Sequence, residues 1–271
     1  MKKIKITRAL NPFADDGGII VLAHRGGGGL WPENTMMAFA GAANLGVDGL
    51  ELDIHQTKDG RLIIIHDPTV DRISDGSGAV KNMTLAEVQS VDAGYWWTAD
   101  SGETFPYRGK GVVIPTLEAV FINFPHLWIN IDIKQHEPAI VEPFVEMVYK
   151  FGMTNKIMVG SFDEKTVQAF RNTCPEALTA ASLQETRRLF IMNKLLIGRF
   201  YNGHADALQI PEFYGRRRVI TRRFVKAAHR KKTAVHVWTV DEVDDMKRLI
   251  ALDVDSLITN YPDRLLNLLG R

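Results

Sequence analysis

The sequence is nearly devoid of cysteine. Cys174 is the only one among 271 residues, which excludes an internal disulfide framework. It stands in Asn172-Thr173-Cys174-Pro175 with no second thiol or base beside it, so it reads as a bystander in a chain suited to a reducing compartment. Long hydrophobic runs are missing too. The charge-free stretch Ala119 to Ile131 has about two-thirds of the length that a membrane span needs and contains Pro125. The basic start Met1-Lys2-Lys3-Ile4-Lys5 meets Arg8, Asp15 and Asp16 before any apolar segment develops, so no secretory leader and a cytoplasmic location are expected. Nor does one sign of charge prevail. The 33 Lys and Arg face 32 Asp and Glu, a net charge of +1, and no DNA-binding motif occurs, so no nucleic-acid partner is expected.

What remains is an ordinary globular composition, 45% hydrophobic and 24% charged, in a chain long enough for one large core. Short apolar runs predict strands at Ile19–Ala23, Gly49–Asp53, Leu62–Ile65, Trp128–Ile133, Lys156–Gly160, Leu178–Ala181, Ala207–Ile210, Ala234–Trp238 and Ser256–Thr259. Helical spacing fills Thr35–Leu45, Thr116–Phe124, Pro138–Phe151, Asp163–Arg171, Leu183–Ile197, Arg218–Lys231 and Asp241–Ala251. Strand and helix in alternation predict a parallel sheet. The third strand is the exception. Asp59-Gly60 signals a two-residue hairpin, which sets Lys58 opposite Arg61 and Asp53 opposite His66, so Leu62–Ile65 is an antiparallel arm. Eight strands are left, and the expected fold is α/β, a (β/α)8 TIM barrel. It is expected to form a single domain over 1–271. A loop-rich insertion, 67–112, follows the His-Asp pair and carries Tyr95-Trp96-Trp97, an apolar entrance or the insertion's own small core.

Glu51 and Asp53 are two apart in Gly-Leu-Glu-Leu-Asp-Ile, so both point to one face while Leu50, Leu52 and Ile54 point to the other. Paired inward carboxylates repel and lose hydration unless a cation lies between them. Asp132 and Lys134 repeat the device on another strand. Three carboxylates form an oxygen-rich site for one divalent cation, Mg2+ or Ca2+; the competing arrangement is a buried ion-pair network with Lys134. His24 ends the first strand, Arg25 adds a forked cation, and four glycines followed by Pro32-Glu33-Asn34-Thr35 suit an anion at a helix start. His66 closes Ile-Ile-Ile-His-Asp. Two histidines beside a metal–carboxylate cluster supply what phosphodiester cleavage needs, a base and an acid. His55, His126, His136, His204, His229 and His236 are expected to be structural. Trp238, ending a late strand, stacks on a substrate group or packs in the core.

His24-Arg25-Gly26, Pro32-Glu33-Asn34-Thr35, Glu51-Leu52-Asp53, Thr57-Lys58-Asp59-Gly60, His66-Asp67, Pro115-Thr116-Leu117, Asp132-Ile133-Lys134 and Trp238-Thr239-Val240 follow one another as in the glycerophosphodiester phosphodiesterase family. The resemblance runs from about Ile19 to Pro262. It implies a TIM barrel, a divalent metal on Glu51, Asp53 and Asp132, His24 and His66 as acid and base, and phosphate contacts from Arg25 and Lys134. The family's usual Glu-x-Lys is here Asp132-Ile133-Lys134, one methylene shorter. The run from Pro115 to Lys134 resembles a lysophospholipase D branch more closely. The substrate is therefore a small glycerophosphodiester or, alternatively, a lysophospholipid; a barrel that only binds phosphodiesters is a further alternative. From Arg187 to Lys232 the chain carries thirteen Lys and Arg against Asp206 and Glu212, and with Leu195, Leu196, Ile197, Phe200 and Tyr201 this region suits peripheral contact with an anionic membrane or the solvated faces of barrel helices.

Overall fold

The computed structural model describes residues 18–195, 201 and 203–271. The basic N-terminus and Leu196, Ile197 and Phe200 of the expected membrane face lie outside them. Strand β1 (Ile20–Ala23) passes through a 3-10 turn at His24–Gly26 to helix α1 (Met36–Leu45), then to β2 (Gly49–Gln56) and β3 (Leu62–Ile64). A long segment with the short helix α2 (Leu85–Gln89) follows. Alternation then resumes with α3 (Leu117–Asn123), β4 (Trp128–Ile133), α4 (Val141–Lys150), β5 (Ile157–Gly160), α5 (Glu164–Thr173), β6 (Leu178–Thr179), α6 (Leu183–Lys194) and β7 (Ala207–Pro211). A small hairpin, β8 (Phe213–Tyr214) and β9 (Arg217–Arg218), precedes α7 (Arg222–Arg230), β10 (Ala234–Trp238), α8 (Val243–Ile250), β11 (Ser256–Thr259) and α9 (Pro262–Leu269).

Eight strands run parallel in the order β6-β5-β4-β2-β1-β11-β10-β7. The parallel bridge Ala180–Ala207 brings β6 against β7, so the sheet curls into the expected (β/α)8 barrel. Leu50, Leu52, Ile54, Ile129, Ile131 and Ile133 turn outward and are buried against Phe39, Phe121, Phe144 and Phe170 of the helices. Thr35, Thr116, Asp163, Ser182 and Thr221 each cap a helix by accepting a backbone N–H three residues on. Those caps fix where each helix begins, and so how much loop is left at the strands' C-terminal ends. No helix among the described residues is long and apolar enough to cross a membrane.

The hairpin departs from expectation by one residue. Ile54, His55 and Gln56 pair with Ile64, Ile63 and Leu62, and Thr57, not Lys58, meets Arg61. A two-residue type I′ turn needs positive φ at both central residues, but only Gly60, at 79°, has it. The loop is therefore Lys58-Asp59-Gly60, and Asp53 faces Ile65 in place of His66, with Ile65 N–H donating to Asp53 O at 3.0 Å. The β8–β9 hairpin, α2 and α9 lie beyond the predicted set.

Within 67–112, Val70, Ile73, Val80, Val88, Ala93 and Val112 form a small cluster on Ile63, Ile65 and Ile114. Arg108 lies 3.9 Å from the centre of the Phe105 ring and 4.3 Å from that of Tyr95, so this aromatic group packs internally. Trp97 Nε1 donates to Gly28 O at 3.0 Å, tying the segment to the glycine loop.

Candidate active site

Parallel register assembles the site. Asp53 on β2 lies beside Asp132 on β4, and Ala23 beside Leu50, which brings His24 next to Glu51. Backbone conformation then aims the flanking groups. Arg25 adopts a left-handed conformation (φ 53°), which costs about 1–2 kcal/mol for an L-residue. It is held there because its N–H donates to Glu51 Oε2 at 2.9 Å while its guanidinium meets Glu33 at 2.9 Å and Asp53 at 3.4 Å. Gly26 follows at φ 81°, and a Cβ there would stand 2.8 Å from Ala38 and Phe39. The chain can turn this tightly only with glycine.

The orientation of His24 is set from the far end of the chain. Asn260 Nδ2 donates to Asp241 at 2.8 Å, so its Oδ1 is the atom left to accept from His24 Nδ1, at 2.7 Å. That leaves Nε2 as the unprotonated nitrogen, 3.9 Å from Glu51. Burial and then the Arg25 charge hold the His24 pKa below the ordinary value, so the ring is a neutral base near pH 7.

Around Glu51, Asp53 and Asp132 positive charge is in short supply. Lys134 Nζ lies 2.6 Å from Asp132 and 3.2 Å from Asp53, so the ion-pair network is present. Among the described residues no three carboxylates or imidazoles already stand as a metal-ligand group. Yet burial pushes the Glu51 pKa well up, with the Asp53 charge adding to it, and burial also raises Asp132. Asp132 Oδ1 is buried with no hydrogen-bond partner. For Asp53 burial is overcome by Lys134, Arg25 and a 3.0 Å hydrogen bond from Asn34, and its pKa falls. Two of three carboxylates are thus under-compensated, and an all-oxygen donor set of this kind fits a hard divalent cation.

His66 lies just past β3, where the backbone has left the strand. Its Nδ1 bonds Asp67 at 2.6 Å, and Asp67 in turn accepts from Arg72. Burial would raise the Asp67 pKa, but Arg72 and His66 hold it down. Arg72 also reaches both Glu33 oxygens, at 2.6 and 3.0 Å, and Glu33 returns to Arg25. A charged chain therefore links His66 to the loop that carries His24. Trp238 is half-buried at the end of β10, packed on Ile20, Leu22 and Ile258 and edge-on to Phe162 at 6.1 Å. Phe162 is 57% exposed and lies 5.2 Å from Lys134 Nζ.

The structure thus brings His24, Arg25, Glu51, Asp53, Asp132 and Lys134 into one cluster. The charge of His66 is felt at both Asp53 and Asp132. Sequence reasoning missed roles for Asn34, Arg72, Phe162, Asp241 and Asn260. Only their places in loops after strands pointed to them.

Comparison with known proteins gives a consistent picture. The model of the "Glycerophosphoryl diester phosphodiesterase family" matches residues 24–264. A glycerophosphodiester phosphodiesterase of Caldanaerobacter subterraneus subsp. tengcongensis is 34% identical over 257 residues, covering 93% of this chain and 98% of the relative. The crystal structure of a glycerophosphodiester phosphodiesterase from Agrobacterium tumefaciens superimposes with a TM-score of 0.75 at 25% identity, covering 92% of this chain and 100% of that one. An Oleispira antarctica phosphodiesterase, solved with the product sn-glycerol-3-phosphate, shares the fold at a TM-score of 0.76 and 22% identity, over 93% and 97% of the two chains.

Proposed function

The chain belongs to the glycerophosphoryl diester phosphodiesterase family, and on that premise we propose that its barrel mouth hydrolyses a glycerophosphodiester to glycerol 3-phosphate and an alcohol by histidine acid–base catalysis. The observation that supports this is the pair of histidines, each with Nδ1 engaged, one beside Glu51 and the other within electrostatic range of Asp53 and Asp132. Glu51, Asp53 and Asp132 would hold a divalent cation, Mg2+ or Ca2+. When bound, it would neutralise charge on the non-bridging phosphate oxygens. Arg25 and Lys134 bind the same anion as a fork and a point charge. His24, kept neutral with Nε2 open, takes a proton from the attacking water, whose oxygen bonds to phosphorus as the ester bond to the alcohol breaks. His66, backed by the Asp67 carboxylate and within the field of Asp53 and Asp132, would deliver a proton to the departing alkoxide.

A second substrate class has an observation in its favour. The exposed Phe162 ring against Trp238 gives the mouth an apolar wall, which suits the acyl chain of a lysophospholipid cleaved in lysophospholipase D fashion. Choline release from glycerophosphocholine and from lysophosphatidylcholine, each with Mg2+, Ca2+ or EDTA, separates the two. Cation-dependent release from the first supports the primary proposal, and release mainly from the second supports the alternative. Release from neither, or release unaffected by EDTA, counts against the cation-assisted phosphodiesterase.

A further inference from the structure

The segments that follow β5, β6 and β7, three adjacent staves of the barrel, each present exposed apolar side chains: Phe162 (57%), Leu183 (56%) at the start of α6, and Phe213 and Tyr214 (44% and 76%) in β8. All four follow the C-terminal ends of their strands, so they lie on the rim around the site. The β8–β9 hairpin carries the last two. It starts two residues after Pro211, which pairs with Trp238 at the mouth. Gly215 at φ 58° opens a two-residue turn with glycine in first place, a geometry matched to strand twist, so the hairpin is preformed.

Its charge is as uneven as its polarity. Tyr214 pairs across the hairpin with Arg217, and Phe213 with Arg218. Arg218 stacks 5.2 Å over Phe213 and meets the buried Glu212, which Arg248 also engages. Arg216 and Arg217 are exposed and have no ion pair among the described residues. Beside the hairpin base the first turn of α8 is acidic, with Asp244 and Asp245 exposed, and Asp245 shares Arg248 with Glu212. The hairpin itself carries the exposed aromatics and the two arginines without an ion pair among the described residues. Phenylalanine and tyrosine beside arginines are the side chains that settle at a lipid–water boundary with anionic headgroups.

We infer that the 213–218 hairpin is an interfacial anchor that docks the barrel mouth on an anionic lipid surface, presenting the site to diesters held there. The placement of substrate rests on the phosphodiesterase proposal; the docking itself does not. The test is co-sedimentation at low ionic strength with vesicles of phosphatidylcholine alone or mixed with phosphatidylglycerol. The parent chain is expected to pellet only with the mixed vesicles. Arg216→Gln/Arg217→Gln should lower the partition coefficient about 25-fold, at about fivefold per arginine near an anionic surface. Phe213→Ser/Tyr214→Ser should lower it about tenfold from lost apolar burial. Absence of parent binding overturns the anchor, as does equal binding by the arginine variant. Full binding by the aromatic variant overturns it in favour of a purely ionic contact. Turnover of water-soluble glycerophosphocholine needs no docking and is expected to match the parent in both variants. Its absence in the parent would count against the catalytic proposal while vesicle binding is still judged on its own.

Discussion

Lys134→Met removes one positive charge while keeping a stem of similar length beneath Phe162. The lysine side chain is only 16% exposed, and its ammonium serves Asp132 at 2.6 Å and Asp53 at 3.2 Å. Removing one member of a buried ion pair strands the other and costs about 3–5 kcal/mol. For a domain of this size each kcal/mol moves the melting temperature by about 2–4 °C, so the variant should melt about 6–20 °C lower in EDTA. The loss should shrink as pH falls, because protonating Asp132, already raised by burial, removes part of the uncompensated charge. A divalent cation on the same carboxylates should restore stability, by about 2.7 kcal/mol at one hundred times its Kd. In the parent the ammonium would compete with that cation for Asp53 and Asp132. The rise in melting temperature on adding Mg2+ or Ca2+ should therefore be larger in the variant. Thermal melts of both proteins in EDTA, Mg2+ and Ca2+ decide the matter, and identical shifts throughout would refute a site shared by lysine and metal.

His24→Ala and His66→Ala should each lower kcat by about 10²–10⁴, and near-parental rates in both would remove them from the chemistry. Burial and Arg25 both disfavour the His24 imidazolium, so activity should persist below the usual histidine range. In Arg25→Met one of those influences is gone, the pKa rises, and the acid limb of kcat/KM should move to higher pH; an unmoved limb would contradict this. Asn260→Ala should reduce kcat about tenfold with little change in KM, since one hydrogen bond of about 1.5 kcal/mol fixes the His24 tautomer. Burial lowers the His236 pKa from the usual 6.5 to about 4. Its folded value lies below its unfolded one, so its contribution is complete above about pH 6.5 and is lost towards pH 4, about 3 kcal/mol in all. His236→Gln should flatten stability over that window in urea melts.

Much of this molecule is legible without coordinates because its logic is periodic. Glu51, Asp53, Asp132 and Lys134 could be placed because strand period two puts alternate residues on one face, whatever the rest of the chain does. The hairpin was misjudged by one residue because φ at Asp59 is fixed by its setting. Asp59 accepts from Leu85 N–H, and Lys58 N–H donates to Met83, contacts from outside the local sequence. His66 bonds Asp67 and comes within electrostatic range of Asp53 and Asp132, since the backbone leaves β3 after Ile64. Asn34 and Asn260 could not be read in this way. Their partners Asp53 and His24 lie 19 and 236 residues off, and no local pattern encodes such a meeting. The β8–β9 hairpin escaped for another reason: Arg217-Arg218 has no strand-like character, and the turn at Gly215 shapes it.

The same 236-residue reach has a meaning for biosynthesis. A chain emerging from a ribosome delivers His24 long before Asn260, and β1 finds its second neighbour only when β11 arrives. A nascent chain that has already produced β10 carries both histidines and all three carboxylates but not the amide that sets the His24 tautomer. The full hydrolytic rate is thus expected only once Asn260 has been made, and a polypeptide broken off before it should lose at least the roughly tenfold that this hydrogen bond supplies, however much of the barrel it has built.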